Sequence, residues 1–490
     1  MTAVARQTEG CDRVQTHEER EEKFEVERDW VMPDLGGLVP DGGTVSETVR
    51  KLENTYFDTP DRSLLDLGIT LRRRIGGGET GWQLKVPAGS ARIELQSRSR
   101  RPLPPDEISD AVAGLTGGQE LVPVATISTI RTARRVIDAE GQALFELADD
   151  AVKSTAHDSG SSREWHEIEV ELGPAAQKKT QAQVAAWLLE AGARPSSSNT
   201  KLHRALGMAA ADTRNRSGRN GTFGALIRDY LVEQCEVIGC NDIGLRTGAP
   251  LVHKTRVAVR RLRSTLRIFG DMFDTEQALV LDGELVWYAS LLGEVRDCDV
   301  LAARLADRIA QLPPEQVYGP VSAHVQETLA LDRKEAADKL AEGMSSERYQ
   351  QLLRTLRVWR TDPPLTEAAD GKAANAARYV RKAKRKAQRR LKRANGDIEE
   401  LHRARKATKR LRYAGELAKR ADKKASRIVR KAKHLQTELG EHQDAMVSAG
   451  YLARLGAAAG STNGHNGFTY GVLMANELAD AARIRHSLAA

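Results

Sequence analysis

Three short segments in the N-terminal third of the chain alternate charged side chains with a period of two. They are Glu19–Lys23, Leu71–Arg74 and Glu167–Leu172. Successive side chains of a β-strand point to opposite faces, so each segment places its charges on one side of a strand. The pattern predicts strands whose carboxylates and cations together line a polar interior. Such a lining is typical of a site where a divalent metal bridges to a polyanion.

Composition sets the broad limits. The chain has 490 residues, which is enough for two or three domains with separate cores. Its net charge of +8 is compatible with an acidic partner. The cysteines, Cys11, Cys235, Cys240 and Cys298, lack the spacing of a disulfide framework or a zinc site. Because the sequence has neither a bilayer-spanning apolar run nor a signal peptide, we expect a cytoplasmic protein.

The chain divides into a strand-rich half and a helical half. Turn signals separate short strands in the first half, which also contains two expected helices at 106–115 and 179–192. The strands are predicted at 19–28, 52–59, 68–75, 80–86, 91–97, 130–138, 143–150 and 165–172. The domain limits are predicted at 16–207 and 223–488, with a polar linker at 208–222.

The helical half contains an internal repeat with an offset close to 150 residues. The segment His253–Arg263 recurs as His402–Arg412, with histidine and cations at matching places. Further along, Leu292–Asp297 recurs as Leu439–Asp444. Two copies of one helical unit are the simplest explanation.

Each copy carries a narrow stripe of cations along one helix face. At about 100° per residue the repeated positions fall within an arc of roughly 80°, beside an apolar face. Such a stripe suits a linear polyanion, because the guanidinium fork of arginine binds phosphate through two donors. The stripe residues are His253, Arg256, Arg260, Arg263, His402, Arg405, Lys409 and Arg412.

Other charged residues of the helical half receive a structural interpretation. Asp297 and Asp299 are expected to pair with arginines of the stripe rather than to bind a metal. The segment 378–393 is basic all round its predicted helix, and we interpret it as a solvated face.

The ordered motifs of the strand-rich half resemble the CYTH family, also called triphosphate tunnel metalloenzymes. The resemblance covers about 16–207 and rests on Glu19-x-Glu21-x-Lys23, Tyr56–Asp61, Leu71-Arg72-x-Arg74, Trp82–Pro87, Arg92-x-Glu94, Ile130–Thr132, Glu146 with Asp150, Glu167-x-Glu169-x-Glu171, and Lys201. It implies an eight-stranded antiparallel β-barrel that forms a tunnel. It also implies metal-dependent hydrolysis of a triphosphate, with water as the nucleophile.

The resemblance implies a role for each matching residue. The ligands of Mg²⁺ or Mn²⁺ would be Glu19, Glu21, Asp150, Glu167, Glu169 and Glu171. The phosphate-binding residues would be Lys23, Arg72, Arg74, Lys85, Arg92, Arg131 and Lys201, of which Arg72, Arg74 and Lys85 are the expected catalytic cations. Glu94 faces the same side of its strand as Arg92 and is expected to tether it. Asp150 is followed by Ala-Val, where the family often has an acidic residue and glycine.

The helical half resembles the CHAD domain over about 223–488. The resemblance rests on the repeated histidines, on the cation stripes and on the turns that end at Asp297 and Asp444. It implies two pseudo-symmetric four-helix bundles facing a basic groove that binds inorganic polyphosphate. The expected fold class is therefore an α+β barrel domain followed by an all-α domain. The expected partners are short triphosphates and polyphosphate, with a location at polyphosphate granules.

Other functions remain open from the sequence. A non-catalytic polyphosphate-binding protein, with the tunnel acting as a sensor, would carry the same residues. Hydrolysis of thiamine triphosphate and cyclisation of ATP also occur in the CYTH family and need similar phosphate clamps. Nucleic-acid binding by the basic helices is disfavoured, because no aromatic residues alternate with the cations and no recognised motif is present. No membrane partner is expected.

Overall fold

The computed structural model describes residues 13–18, 21–78, 80–88, 91–173, 175–198, 200–208, 221–394, 397–461 and 466–489. Glu19, a predicted metal ligand, and residues 209–220 of the predicted linker lie outside these ranges. The chain forms two compact units. The strand unit comprises the described residues up to 208 together with 239–249, and the helical unit comprises 221–238 and 250–489. None of the described helices combines the length and apolar character needed to cross a bilayer.

The strand unit contains one antiparallel sheet and three helices. The strands are β1 (Arg13–Glu18), β2 (Glu21–Val26), β3 (Thr44–Asp58), β4 (Thr70–Ile75), β5 (Gly81–Ala88), β6 (Ala91–Ser97), β7 (Val122–Ile137), β8 (Ala143–Ala156), β9 (Ser162–Leu172) and β10 (Arg194–Pro195). Their order across the sheet is β1-β6-β5-β4-β3-β7-β8-β9-β2-β10. The helices are α1 (Asp106–Thr116), α2 (Lys178–Glu190) and α3 (Lys201–Ala205).

The sheet has ten strands where the sequence predicted eight. The chain that begins the sheet is divided into β1 and β2, which pair with different neighbours, and the two-residue β10 adds a short pairing to β2. The described strands form a row that ends at β1 and β10, rather than a closed ring of hydrogen bonds. The antiparallel arrangement is therefore confirmed, while the eight-stranded barrel is not confirmed in its strand count or its closure and stays a prediction.

The two ends of this row are joined by the chain itself. β1 pairs with β6 at one end, and β2 pairs with β9 close to the other end. Only two residues separate Glu18 from Glu21. Their Cα atoms are therefore at most about 11 Å apart, since consecutive Cα atoms are about 3.8 Å apart. The sheet must curl until its opposite ends approach each other.

One face of the sheet packs against α2. Ile168 and Val170 of β9 are buried in the same core as Val184 and Leu188 of α2. Burial of each such side chain stabilises the fold by about 1.5–3 kcal/mol. A slip of one residue in the pairing of β9 would move Ile168 and Val170 to the opposite face, so this core fixes the register. The same register turns the alternate residues of β9 away from α2.

The helical unit is built from long helices. In the described part of the chain they are α4 (Phe223–Arg246, whose residues from 239 onward belong to the strand unit), α5 (Val252–Ile268), α6 (Thr275–Ala310), α7 (Val321–Ser345), α8 (Glu347–Thr361), α9 (Ala376–Ala394), α10 (Ile398–Ala418), α11 (Ala425–Gly460) and α12 (Phe468–Ala489). This all-α region after an α+β region confirms the predicted fold class at that level.

The predicted repeat is visible in these helices. The stripe segments lie on α5 and α10, and each is followed by a helix of 36 residues, α6 or α11. Side chains cap the starts of two of them: Asp274 accepts the N–H of Gln277 at the start of α6, and Asp397 accepts the N–H of Glu400 at the start of α10. α5 contacts α10 and α6 contacts α11, so equivalent helices of the two copies lie against each other.

Candidate functional site

A cavity of about 390 Å³ lies inside the curled sheet. It is lined by side chains from each of the strands β2 to β9 and from α3. Along each strand the lining residues are two or four apart, as with Arg72 and Arg74 on β4 or Glu146 and Asp150 on β8. The period of two in the sequence therefore separates the cavity lining from the residues that pack in the outer core.

Buried carboxylates gather where β8 and β9 pair. Asp150, Glu167 and Glu169 each offer an oxygen, and these oxygens all lie within 4.8 Å of one another. Asp150 of β8 is directly opposite Glu167 of β9 in the strand register. Lys201, at the start of α3, places its Nζ between 2.6 and 2.9 Å from all three carboxylates. This arrangement brings one predicted phosphate-binding cation and three predicted metal ligands together.

Two further cations contact this group through the strand register. Arg131 of β7 faces Asp150 and donates two hydrogen bonds to its carboxylate, at 2.8 and 2.7 Å. Lys23 of β2 faces Glu169 and lies 2.6 Å from it. Arg131 also contacts Glu169. Glu169 is therefore contacted by Lys23, Arg131 and Lys201, more cations than any other carboxylate in the cavity contacts among the described residues.

The pKa values follow from these contacts. Burial would raise the pKa of Glu169, but the charges of Lys201, Lys23 and Arg131 outweigh it and hold the pKa well below its ordinary value. Burial would likewise lower the pKa of Lys201, but the surrounding carboxylates, Glu169 first among them, raise it well above its ordinary value. Glu169 and Lys201 are therefore both charged at neutral pH.

In a second set of carboxylates, fewer cations balance the negative charge. Glu171 of β9 lies opposite Glu21 of β2 and opposite Glu146 of β8. Burial and the charges of Glu21, Glu169 and Glu146 raise the pKa of Glu171. Glu21 is also 2.8 Å from Lys23. Carboxylate oxygens are the ligands that Mg²⁺ and Mn²⁺ prefer, so this excess of negative charge fits a divalent cation.

Arg72 and Arg74 of β4 are held by neutral side chains of the neighbouring strands β3 and β5. Arg72 donates two hydrogen bonds to Oε1 of Gln83, at 2.9 and 2.7 Å, and one to the hydroxyl oxygen of Tyr56 at 3.2 Å. Arg74 donates to Oδ1 of Asn54 at 3.1 Å. The amide of Gln83 orients the Arg72 guanidinium without neutralising it. Burial would raise the pKa of Tyr56, but the charge of Arg72 lowers it below its usual value.

Lys85 of β5 is held differently. Glu94 lies directly opposite on β6, and its carboxylate is 2.7 Å from Lys85 Nζ. Burial would raise the pKa of Glu94, but Lys85 and then Arg72 lower it. The sequence predicted that Glu94 tethers Arg92, whereas the ion pair in the structure is with Lys85, because cross-strand register selects the partner. Arg92 lines the cavity as well.

Some charged cavity residues had no predicted role. Arg50 and Arg135 were not named from the sequence, and Glu146 was named only as a motif residue. All three line the cavity, and Arg135 pairs with Glu146 at 3.0 Å. Arg50 follows the same period of two as Asn54 on β3, so a longer predicted strand would have included it. Glu167, by contrast, is outside the described cavity lining and accepts a hydrogen bond from the indole of Trp165.

A second cavity, of about 300 Å³, lies between α5 and α10 of the helical unit. No described carboxylate lines it. Its lining consists of Arg260, Arg263, Ser264, Arg267, Lys406, Lys409, Arg410 and Tyr413. Three of the eight predicted polyphosphate-binding residues are among them, while Lys406 and Arg410 were missed because they lie just beside the predicted arc.

Some cations of the predicted stripe form ion pairs with acids of the same helix or of a neighbouring helix, and others do not. The ion pairs are Arg256–Asp297 at 2.9 Å, Arg263–Asp282 at 3.1 Å, Arg405–Asp444 at 3.8 Å and Arg412–Glu416 at 2.8 Å. His402 contacts Gln443 at 3.0 Å, and His253 is exposed. Asp299 pairs with Arg333 of α7, so its predicted pairing with the stripe is wrong, whereas that of Asp297 is confirmed.

Cations crowd one another in this cavity. Burial and the charges of Arg405, Arg260 and Arg256 lower the pKa of Lys409 to about 7. Burial also lowers the pKa of Arg260. The Nε atom of Arg260 is buried and has no hydrogen-bond partner among the described residues. An anion in this cavity would gain direct contacts and relieve the mutual repulsion.

Comparison with known proteins agrees with this division. The CYTH domain family matches residues 19–204, and the CHAD domain family matches residues 229–453. Uncharacterized proteins from two strains of Mycobacterium tuberculosis, CDC 1551 and H37Rv, are each 33% identical to the chain over 501 residues, covering 97% of it and 95% of the relative. The chain is a CYTH–CHAD protein.

The solved structure of PptA from Streptomyces chartreusis is also similar to this CYTH–CHAD protein. It is 20% identical, covers 55% of this chain and 98% of its own, and has a TM-score of 0.46. Within the chain, the CYTH match spans Glu21 to Lys201 and the CHAD match includes both His253 and His402. The two cavities therefore belong to different domains, which confirms the resemblance to a CYTH–CHAD fusion.

Proposed function

We propose that the CYTH domain hydrolyses inorganic triphosphate, or a related triphosphate, and that the CHAD domain binds inorganic polyphosphate. The observation that carries the proposal is the cavity in which oriented cations and a cluster of carboxylates line one interior. A triphosphate needs both, because its charge must be neutralised and its phosphates held in line for attack. Membership of the CYTH family, whose tunnel enzymes depend on a metal, supports the same assignment.

The fold inferred with this function is a tunnel. The covalent link between β1 and β2 holds the two ends of the sheet together, and side chains of β2 to β9 line one cavity. We infer that this part of the chain acts as a closed barrel around the substrate. The α4–α7 and α9–α12 series would form the two pseudo-symmetric four-helix bundles of the CHAD domain.

In this proposal the substrate phosphates contact Arg72, Arg74 and Lys85. Arg72 enters the contact pre-oriented by Gln83 and Tyr56, so little ordering is needed when the substrate binds. These cations stabilise the negative charge that develops on the leaving phosphate as water attacks. Lys23, Arg131 and Lys201 carry additional positive charge next to the carboxylates.

The carboxylates would hold the metal. Glu21, Glu169 and Glu171 are the candidate ligands, with Glu146 added by the structure and Asp150 beside them. A bound Mg²⁺ or Mn²⁺ would supply neutralisation of the phosphate charge and orientation of its oxygens. The residues of the chain do the rest: they position the phosphates and exclude all but the attacking water.

In the CHAD domain the proposed polyphosphate site is the cavity between α5 and α10. Its cations face one another with no described acid in the lining. Neutralisation of each bound phosphate should release counterions and make binding depend on salt. Such binding would place the protein at polyphosphate deposits.

One observation favours a non-catalytic alternative. Lys201 already contacts Asp150, Glu167 and Glu169, and these internal ion pairs would compete with a metal for the same oxygens. A tunnel that binds a triphosphate without cleaving it would act as a sensor. Binding without metal-dependent phosphate release would support this alternative.

The test is a substrate panel of tripolyphosphate, ATP, thiamine triphosphate and long polyphosphate, assayed with Mg²⁺ and with Mn²⁺. We expect metal-dependent phosphate release from tripolyphosphate that falls at least about 100-fold in Arg72→Ala and Glu169→Ala protein. Undiminished release in either variant would reject the proposal. Preference for thiamine triphosphate, or formation of cyclic AMP from ATP, would keep the site and change the substrate.

A further inference from the structure

The outer face of α9 carries a dense array of exposed cations. No acidic residue occurs between Asp370 and Asp397. Within α9 the exposed cations are Arg381, Lys382, Lys384, Arg385, Lys386, Arg389, Lys392 and Arg393. They form no ion pair with any described residue, whereas Arg378 and Arg390 pair with Asp271 and Glu400.

This face is one side of an amphipathic helix. At 100° per residue the eight exposed cations cover an arc of roughly 200° along about 18 Å of helix. The opposite arc carries Tyr379, Val380, Ala387 and Ala394, which are buried, and α9 packs against α10. The sequence interpretation of a helix that is basic all round is thus wrong. Only one side of the helix is densely basic. The other side packs in the core, and this packing fixes the helix that carries the cations.

We propose that the outer face of α9 is a second binding surface, for long-chain inorganic polyphosphate. The proposal rests on the proposed function of the CHAD domain and extends it from a cavity to a surface. α10 lines the cation cavity, and packed helices have axes about 8–10 Å apart. The cationic face lies on the side of α9 opposite its buried residues. Only a polyanion long enough to pass round α9 can therefore contact the cavity and this face at once, while a short one occupies one of them.

The chemistry of the face favours polyphosphate over other polyanions. The only aromatic residue of α9, Tyr379, is buried on the opposite side of the helix, so bases of a single strand have nothing to stack on at this face. Gln388 is the one exposed amide among the cations, too little to read base edges. The apolar side of α9 is already packed and cannot insert into a membrane interface. What remains is a dense array of charge that matches a chain of phosphates.

The expected signature is dependence on chain length. When two sites engage one chain, the second contact becomes intramolecular and affinity rises without any new type of contact. The wild-type protein should therefore bind long polyphosphate much more tightly than tripolyphosphate, and the excess should require α9.

The test uses the full chain with the four changes Lys382→Gln, Arg385→Gln, Lys386→Gln and Arg389→Gln. Glutamine is a good helix former, and these side chains are exposed and unpaired, so the helix should persist. The matched control is Lys334→Gln, Lys339→Gln, Arg348→Gln and Arg354→Gln, which removes the same charge from cations that pair with acids on α6, α7 and α8. Thermal melting checks that both variants fold.

We expect the α9 variant to lose about tenfold or more in affinity for long polyphosphate, and its salt dependence to fall by about 3 in slope. The affinity of the α9 variant for tripolyphosphate should stay near the wild-type value. The control variant should bind both long polyphosphate and tripolyphosphate with affinities near those of the wild type. Unchanged long-chain affinity and salt slope, or equal wild-type affinity for long and short chains, would overturn the proposal. A loss of duplex DNA binding without a loss of polyphosphate binding would assign the face to nucleic acid instead.

A separate variant tests the proposed polyphosphate site in the cavity between α5 and α10. The variant Arg260→Gln with Arg410→Gln should weaken binding of short polyphosphate to the CHAD domain. If it does not, the proposed function of the cavity is wrong, whatever the result for α9.

Discussion

The two cavities of this CYTH–CHAD protein use positive charge in opposite ways. In the CYTH cavity the cations are matched by strand register to carboxylates or amides, as Lys85 is to Glu94 and Arg72 to Gln83. In the CHAD cavity Arg260, Lys409 and Arg410 face other cations. The first arrangement suits the compact triphosphate and the metal that we propose for this cavity. The second provides attraction without defined geometry, which suits a polymer.

The largest expected effect comes from removing the carboxylate on which the CYTH cations converge. Glu169→Gln leaves Lys23, Arg131 and Lys201 without this counter-charge. Phosphate release from tripolyphosphate should fall about 100- to 1000-fold. The free energy of unfolding should fall by about 3 kcal/mol, because a buried ion cluster loses one partner.

Steady-state kinetics and urea denaturation measure the two effects. Glu164→Gln is the matched control, since Glu164 is an exposed residue of the same strand. It should leave both stability and hydrolysis close to wild type, because an ion pair at an exposed site contributes little. If the two variants lose hydrolysis and stability equally, the ion cluster around Glu169 has no special importance. The contrast between the paired cations of the CYTH cavity and the unpaired cations of the CHAD cavity would then fail.

A smaller change tests whether neutrality of the amide matters. Gln83→Glu places a carboxylate where the amide oxygen now lies 2.7 Å from Arg72. The new ion pair should compete with the substrate and raise KM for tripolyphosphate about tenfold, since a hydrogen bond to a charged group is worth about 1.5 kcal/mol.

Gln83→Met separates charge from orientation. It removes the hydrogen bonds without adding charge, so its KM should rise less than that of Gln83→Glu. If methionine is the more harmful residue, Gln83 acts by orienting Arg72, and its neutrality is irrelevant.

The smallest expected effect is a pH dependence in the CHAD cavity. The pKa of Lys409 is about 7 because of burial and the charges of Arg405, Arg260 and Arg256, opposed by Asp444 of α11. Anion binding favours protonated Lys409, so affinity for short polyphosphate should fall about fivefold between pH 6 and pH 8. Titration at both pH values measures it.

Lys409→Arg is the control, because arginine stays charged across this range. The remaining dependence in that variant comes from groups other than Lys409, including the terminal phosphates of the ligand. The effect on stability has a definite sign. The unfolded lysine keeps its proton up to about pH 10.5 while the folded one loses it near 7, so stability should rise with pH between these values. A pH-independent affinity in the wild type would contradict the crowding described for this cavity.

The sequence predicted where the strands of the CYTH domain lie better than it predicted how long they are. Period-two charge placed β9 and β4 correctly, because apolar residues between the charges pack in a core. Residues 44–51 of β3 were missed because they are exposed and pair only with β7, so no buried alternation marks them. β1 was missed as well, because the first predicted strand covered only 19–28, and its pairing with β6 depends on which neighbour the chain meets.

Partners across strands and helices were the part of the site that sequence did not give. The residue types in the CYTH cavity were predicted, but the pairing of Glu94 with Lys85 depends on register. In the CHAD domain the acids that divide the stripe, such as Asp282 and Glu416, come from positions whose approach depends on helix packing. Periodicity identifies a face, and packing decides which of its charges stay unpaired.

The junction between β1 and β2 has a consequence for synthesis of the protein on the ribosome. The first strands to emerge pair with β6 and with β9, and β9 ends at Leu172. The N-terminal segment must therefore wait until more than a hundred further residues have been made. Contacts so distant in sequence form slowly, so the nascent chain carries open strand edges at least until Leu172 has been made. A chaperone that shields those edges would help this protein most before its helices exist.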